Sequence, residues 1–317
     1  PRSTPSNSSA ASDVYKRQAL ENIIETRKQD KFQSIFDFCE RVDSRVVNKK
    51  VVESLIKSGA MDSFGLRRAQ MVAILDKVLS KTNKKKDPSQ LLLFEEPVDE
   101  SIPDIAEWPL PEILNFEKTL LGIYLTGHPM KSYSGIIDYI NREKIASFYE
   151  KQRSQEVIIC GVVEKIKNIT TRKKGERMAI IKIEDETSNI EAFVFPRLYE
   201  EVALYLREKA VLLLKGRVES KDRVPKMLAS KIIPIEKVMD NVSEMNILVE
   251  PNHLPLNQLK KIFVNNKGVT PVSFSFKDSK LQGVKVKTAN KFSIALSQQA
   301  LKDLVSVVGA GNLSLTL

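Results

Sequence analysis

Between Val157 and Ile235 the hydrophobic pattern of this sequence takes a period of two, in five short runs at approximately Val157–Asn168, Arg177–Glu184, Asn189–Phe195, Val211–Glu219 and Lys226–Ile235. Alternation of apolar and polar residues sets one face of a strand against a core, so the runs predict half-buried strands. Between the third and fourth, Pro196–Arg207 carries Leu198, Val202, Tyr205 and Leu206 on one side of an amphipathic helix. Five strands with a single helix after the third predict a small closed barrel, over 157–240.

Upstream the period is helical. Asn48 has the chemistry of an N-cap, Val51, Val52, Leu55 and Ile56 share a face, and Gly59 suits a left-handed helix end. A second helix, Leu66 to Leu79, is expected to present Ala69, Val72, Ala73 and Val78. Ser34, three residues before Asp37, has the spacing of a helix cap. Two helices joined at Ser58-Gly59-Ala60 make residues 19–80 a helix-hairpin-helix candidate. Residues 81–111 read as a linker, with Lys84, Lys85 and Lys86 followed by Pro88, Pro97, Pro103, Pro109 and Pro111. Residues 112–156 read as a helical connector, with a helix near Glu112–Tyr124 and a structural turn at Thr126-Gly127-His128-Pro129. Residues 246–317 form a small α+β module. The fold class is therefore multidomain α+β, as 317 residues exceed what one core supports.

Residues 1–18 are rich in Ser and show no apolar period. Asp13-Val-Tyr-Lys-Arg-Gln18 can be encoded by a sequence like the transposon end of library adapters. A non-native or disordered tail is expected there, with native sequence from about Ala19.

The composition excludes several chemistries. Cys39 and Cys160 are the only cysteines, and His128 and His253 the only histidines, so neither a disulfide framework nor a Cys/His zinc set is available. No apolar run is long enough to span a bilayer, and a cytoplasmic location is expected. No P-loop, nucleophile elbow or closely spaced Asp-x-Asp pair occurs, so these residues are expected to be non-catalytic and to need no cofactor. The formal charge of +10 favours a polyanionic partner.

Candidate contacts follow from these patterns. In the hairpin, exposed N–H groups at Ser58, Gly59 and Ala60, with Lys49, Lys50 and Lys57 nearby, would suit duplex phosphates; an ordinary glycine-capped hairpin is an equal alternative. In the barrel, the loop between the first two strands carries Arg172, Lys173, Lys174 and Arg177, and the loop between the last two carries Lys221, Arg223 and Lys226. Those loops and the face of the second and third strands are where OB-fold barrels hold single strands. Phe193 and Phe195 share a strand face with Glu191 and are candidates to stack on bases, although such aromatics more often belong to a core. In the linker, Gln90-Leu91-Leu92-Leu93-Phe94 is an apolar patch among lysines and acids, the signature of a partner site unless it docks back on the helical domain.

In combination these segments resemble the bacterial DNA polymerase III alpha family, the C-family replicative polymerases. Phe32–Cys39 through Leu55–Asp62 resembles its helix-hairpin-helix region, and Gln90, Leu93 and Phe94 fall where that family carries a sliding-clamp-binding peptide. Glu117-Lys-Thr-Leu-Leu-Gly-Ile-Tyr-Leu-Thr-Gly-His-Pro-Met130 is similar to its signature segment before the OB domain. The resemblance implies a C-terminal part of a nucleotidyltransferase in DNA replication, associated with the nucleoid. Its magnesium-binding aspartates would lie in an upstream palm domain. The implied partners are primer–template duplex, single-stranded template, sliding clamp and, through the terminal module, the clamp-loader tau subunit. The alternative is an OB-fold tRNA- or single-strand-binding protein unrelated to a polymerase.

Overall fold

A computed structural model describes residues 7–86, 101–150, 155–171, 174–219, 224–251, 255–278, 281 and 283–317. The chain divides into two compact units, Pro1–His128 and Pro129–Leu317.

The first unit is helical: α1 (Asn7–Gln29), α2 (Ile35–Arg41), α3 (Lys49–Lys57), α4 (Arg68–Lys86) and α5 (Leu110–Leu121). Local chemistry sets the ends. The Ser34 hydroxyl accepts from the Asp37 N–H, and the Asn48 side chain accepts from the Val51 N–H. Gly59, Gly65 and Gly122 turn left-handed at φ 84°, 73° and 78°. Ile35, Phe38, Val52, Ile56, Met71, Leu75 and Val78 build the core. Two expectations are corrected. Helix α1 begins at Asn7, inside the stretch read as a tail. Helix α4 buries Met71, Ile74, Leu75 and Val78 while Ala73 is exposed, because the larger side chains take the inward face.

In the second unit, short helices α6 (Ser134–Ile137) and α7 (Ser147–Glu150) precede β1 (Gln155–Thr170), β2 (Arg177–Glu184), β3 (Asn189–Val194), α8 (Pro196–Val202), β4 (Val211–Glu219) and β5 (Lys226–Pro234). These strands close a barrel in the order β1-β2-β3-β5-β4, with β3 and β5 parallel. Strand β1 serves two neighbours, pairing β4 through Gln155–Val162 and β2 through Val162–Thr170. It bends at a bulge between Val163 and Lys165, beside Gly161, where any Cβ would collide with the Glu184 carbonyl. Ile159, Ile181, Ile183, Ile190, Leu212 and Leu214 fill the interior. Helix α8 is shorter than expected, although Tyr205 and Leu206 still pack on that core.

After the barrel come β6 (Glu244–Val249), α9 (Leu256–Asn265), β7 (Lys267–Thr270), β8 (Val272–Phe276), β9 (Lys285–Lys287), α10 (Gln298–Val308) and β10 (Leu313–Thr316). A four-stranded sheet runs β10-β6-β8-β9. Its core includes Cys160 and Val162 of β1, Leu213 of β4, and Ile136, Ile137 and Ile140. The expectation of separate modules at 157–240 and 246–317 is thereby corrected: Val157 and the run Ile159–Val163 are buried, so one wall of the barrel is apolar on both faces and its outer face is covered. The expected connector at 112–156 also divides, with α5 in the first unit and α6 and α7 in the second.

Candidate nucleic-acid interface

The hairpin offers less free backbone than its sequence suggests. The Gly59 N–H donates to the Ile56 carbonyl at 3.0 Å and the Ala60 N–H to the Leu55 carbonyl at 3.0 Å, while the Ser58 N–H bonds Ser54 at 2.9 Å. This glycine cap consumes the N–H groups of Ser58, Gly59 and Ala60, which corrects their reading as phosphate donors. The first N–H groups of α4 are also occupied. Glu107 accepts from Arg68 N at 2.7 Å and Ala69 N at 3.1 Å, a carboxylate where a helix start favours an anion. The segment carrying Glu107 is strapped across α4, with Asp104 on Arg67 at 2.9 Å and the Pro103 carbonyl held by Gln70 at 2.9 Å. Of the lysines, Lys49 pairs with Asp76 at 2.6 Å, Lys57 pairs with Glu53 at 2.5 Å and lies over the Phe116 ring, and Lys50 is exposed.

Beneath that turn lies a buried lock that sequence reading missed. Arg68, 5% exposed, grips Asp62 through Nε at 2.9 Å and Nη2 at 2.7 Å, and reaches Glu117 through Nη1 at 3.0 Å. Glu117 is fully buried and also accepts from the N–H groups of Leu125 and Thr126, both at 2.8 Å, and from the Thr126 hydroxyl. Burial would raise the Glu117 pKa, but the bonds from Thr126, Leu125 and Arg68 outweigh it and hold the carboxyl below its ordinary range. The run Glu117–His128 thus begins as the end of α5, which stops at Gly122, and folds back to satisfy its own glutamate. The available signal was phase: Arg68 continues the buried stripe Met71, Leu75, Val78 of α4 at helical spacing.

On the barrel, β3 turns Ile190, Ala192 and Val194 inward, so Phe193 and Phe195 face outward. The frequent core fate of such aromatics does not apply: Phe193 is half-buried and Phe195 is 46% exposed. Across the sheet Phe193 stands in register with Ile180 of β2 and Leu228 of β5. Met178, Phe193, Phe195, Val224, Leu228, Glu219 and Lys226 line an open concavity of about 410 Å³. The structure thus brings Phe193, Phe195 and Lys226 together. Arg177 instead lines a second hollow with Asn168, Ile169, Thr170 and Tyr199, and Lys174 is exposed at 3.9 Å from Glu176. Met178, Leu228 and Glu219 were missed because outward positions are judged by cross-strand register, which no single run displays.

Arg172, Lys173, Lys221 and Arg223, and the Gln90, Leu93 and Phe94 peptide, lie outside the described residues. Among the described residues no three His, Cys, Asp or Glu converge to hold a metal ion. Burial pushes the Cys160 thiol up to about 12, leaving it inert. No helix among the described residues is long and apolar enough to cross a membrane.

A capped helical hairpin and a closed five-stranded barrel with an exposed aromatic face define a protein assembled from helix-hairpin-helix and OB-fold domains. The family described as "Helix-hairpin-helix motif" matches residues 13–71, and that described as "OB-fold nucleic acid binding domain" matches residues 157–235. The chain belongs to the DNA polymerase III alpha family. It is 32% identical over 310 residues to the DNA polymerase III subunit alpha of Bacillus subtilis, covering 94% of this chain and 27% of the relative. The subunit of Thermus aquaticus is 33% identical over 277 residues, covering 83% and 22%, and that of Escherichia coli K12 is 25% identical over 314 residues, covering 93% and 27%. The chain therefore spans about a quarter of the length of the relatives it matches. Among solved structures, asparaginyl-tRNA synthetase from Pyrococcus horikoshii is similar over 30% of this chain and 22% of its own, at 18% identity and a TM-score of 0.25.

Proposed function

We propose that this chain is the DNA-holding part of a replicative DNA-directed DNA polymerase, a nucleotidyltransferase whose palm active site lies in another part of the protein. The barrel takes single-stranded template on its outer β2–β3–β5 face. The hairpin unit takes primer–template duplex through side chains such as Lys50 rather than through its turn N–H groups. Gln90, Leu93 and Phe94 enter the sliding clamp, and the terminal module contacts the clamp-loader tau subunit.

One observation carries the reading: an apolar, aromatic concavity stands open on the outside of a closed barrel, with Phe195 at its edge and Lys226 on its rim. Burial is the default for such side chains, and an outward aromatic–aliphatic cluster beside a cation supplies the stacking and charge that single strands need. The test is binding of the whole chain to oligo-dT by fluorescence anisotropy. Phe195→Ala should weaken it about tenfold, the scale of one stacked base. Lys226→Ala should lower the salt slope by about 0.7. Wild-type affinity in Phe195→Ala would remove this face from the interface.

A further inference from the structure

Among its described lining residues the concavity at Phe195 carries a single carboxylate, Glu219. Glu219 ends β4 and stands in register with Lys226 of β5, so an acidic and a basic residue occupy paired strand positions in the lining of the concavity, with Phe193 and Leu228. Glu219 is half-buried, and no ion pair joins it to a described residue. A platform built only for stacking would accept every base alike, since each has a π-face. A carboxylate at its edge does not, because it has acceptors and no donor. Cytosine, adenine and guanine each carry an exocyclic amine that can donate to it; thymine has none, its only ring donor on that edge is N3–H, and its O4 carbonyl stands where cytosine carries the amine, which sets acceptor against acceptor there.

We propose that Glu219 makes the concavity selective for amino-bearing bases, its carboxylate accepting from the exocyclic amine of a base stacked at Phe195 while Lys226 meets a neighbouring carbonyl or phosphate oxygen. The inference rests on the reading of this face as a single-strand site and deepens it by naming the base class. The carboxylate also disfavours thymine by leaving two acceptors opposed, so selection comes from repulsion as well as attraction.

The test compares oligo-dC with oligo-dT of equal length, at mildly alkaline pH and one salt concentration, binding to the whole chain in three forms: wild type, Glu219→Gln and Phe195→Ala. Wild type should bind oligo-dC at least about fivefold more tightly, the lower end for one amine–carboxylate contact. Glu219→Gln places an amide that donates as well as accepts, and should bring the two affinities close together by gaining on oligo-dT. Phe195→Ala should weaken both oligonucleotides. An unchanged dC-to-dT ratio in Glu219→Gln, or equal wild-type affinities, overturns the role of Glu219 while the stacking face stands on the Phe195→Ala result. Indifference of both oligonucleotides to Phe195→Ala removes the face and the inference with it. Circular dichroism of each variant confirms that the barrel is intact.

Discussion

Gly59 and Gly65 both adopt left-handed backbone, at φ 84° and 73°, yet they differ in surroundings. A methyl group on Gly65 meets open space, whereas one on Gly59 overlaps the Arg68 guanidinium. Gly65→Ala should therefore lose only the conformational term, about 1–2 kcal/mol. Gly59→Ala should lose more, because it also dislodges a buried arginine whose partners are then left exposed to desolvation without compensation; thermal unfolding of the two variants checks the order. Glu117 gives a second prediction. Its folded pKa lies below the unfolded value, so its contribution is present above the unfolded carboxylate pKa and is lost as pH falls through the folded one. Acid denaturation should accordingly show stability falling below the ordinary carboxylate range, about pH 4, and Glu117→Gln should flatten that part of the curve while lowering stability at neutral pH. Asn48 and Gly59 were legible from sequence because caps act within a few residues. Arg68 and Glu117 were not, since the bond between them links residues in different helices and neither helix alone shows why a charge should be inside.

Elements were legible wherever the period was clean. β2 and β4 begin and end where alternation does, and β1, β3 and β5 differ by a few residues. The parallel pairing of β3 with β5 closes the ring that five runs and a helix suggested. The second apolar face of β1 was harder to read, because a strand covered on both sides loses its alternation and looks like a continuous apolar run. The strap over α4 was illegible for another reason: Glu107 lies in a proline-rich stretch with no period, and its destination is set by the helix start it caps. That contact makes a prediction for α4. Glu107→Ala should cost about 0.5–2 kcal/mol, as for loss of a helix cap, and should speed amide exchange at Arg68 and Ala69 specifically.

At the level of the whole molecule, the duplex, single-strand and clamp contacts proposed above fall on separate stretches of chain, so each should be removable alone. The triple variant Gln90→Ala, Leu93→Ala, Phe94→Ala should abolish binding to the sliding clamp in surface plasmon resonance and leave oligo-dT affinity unchanged. Clamp binding that survives it would move that contact elsewhere. The period change at Val157 was readable, but a division into two units with its boundary at His128 was not, because the fold-back of Leu125 and Thr126 onto Glu117 ties the signature run as far as His128 to the helical unit.

The strap at Pro103–Glu107 also sets a limit on reach. Helix α4 ends at Lys86, and near the start of the same helix Gln70 holds the Pro103 carbonyl. Phe94 lies eight residues from the first anchor and nine from the second. At no more than about 3.5 Å per residue it stays within roughly 30 Å of both, whatever path the intervening chain takes. Any protein gripping Phe94 is therefore docked at short range to the hairpin, and cutting the Glu107 and Asp104 contacts would be the way to let it out.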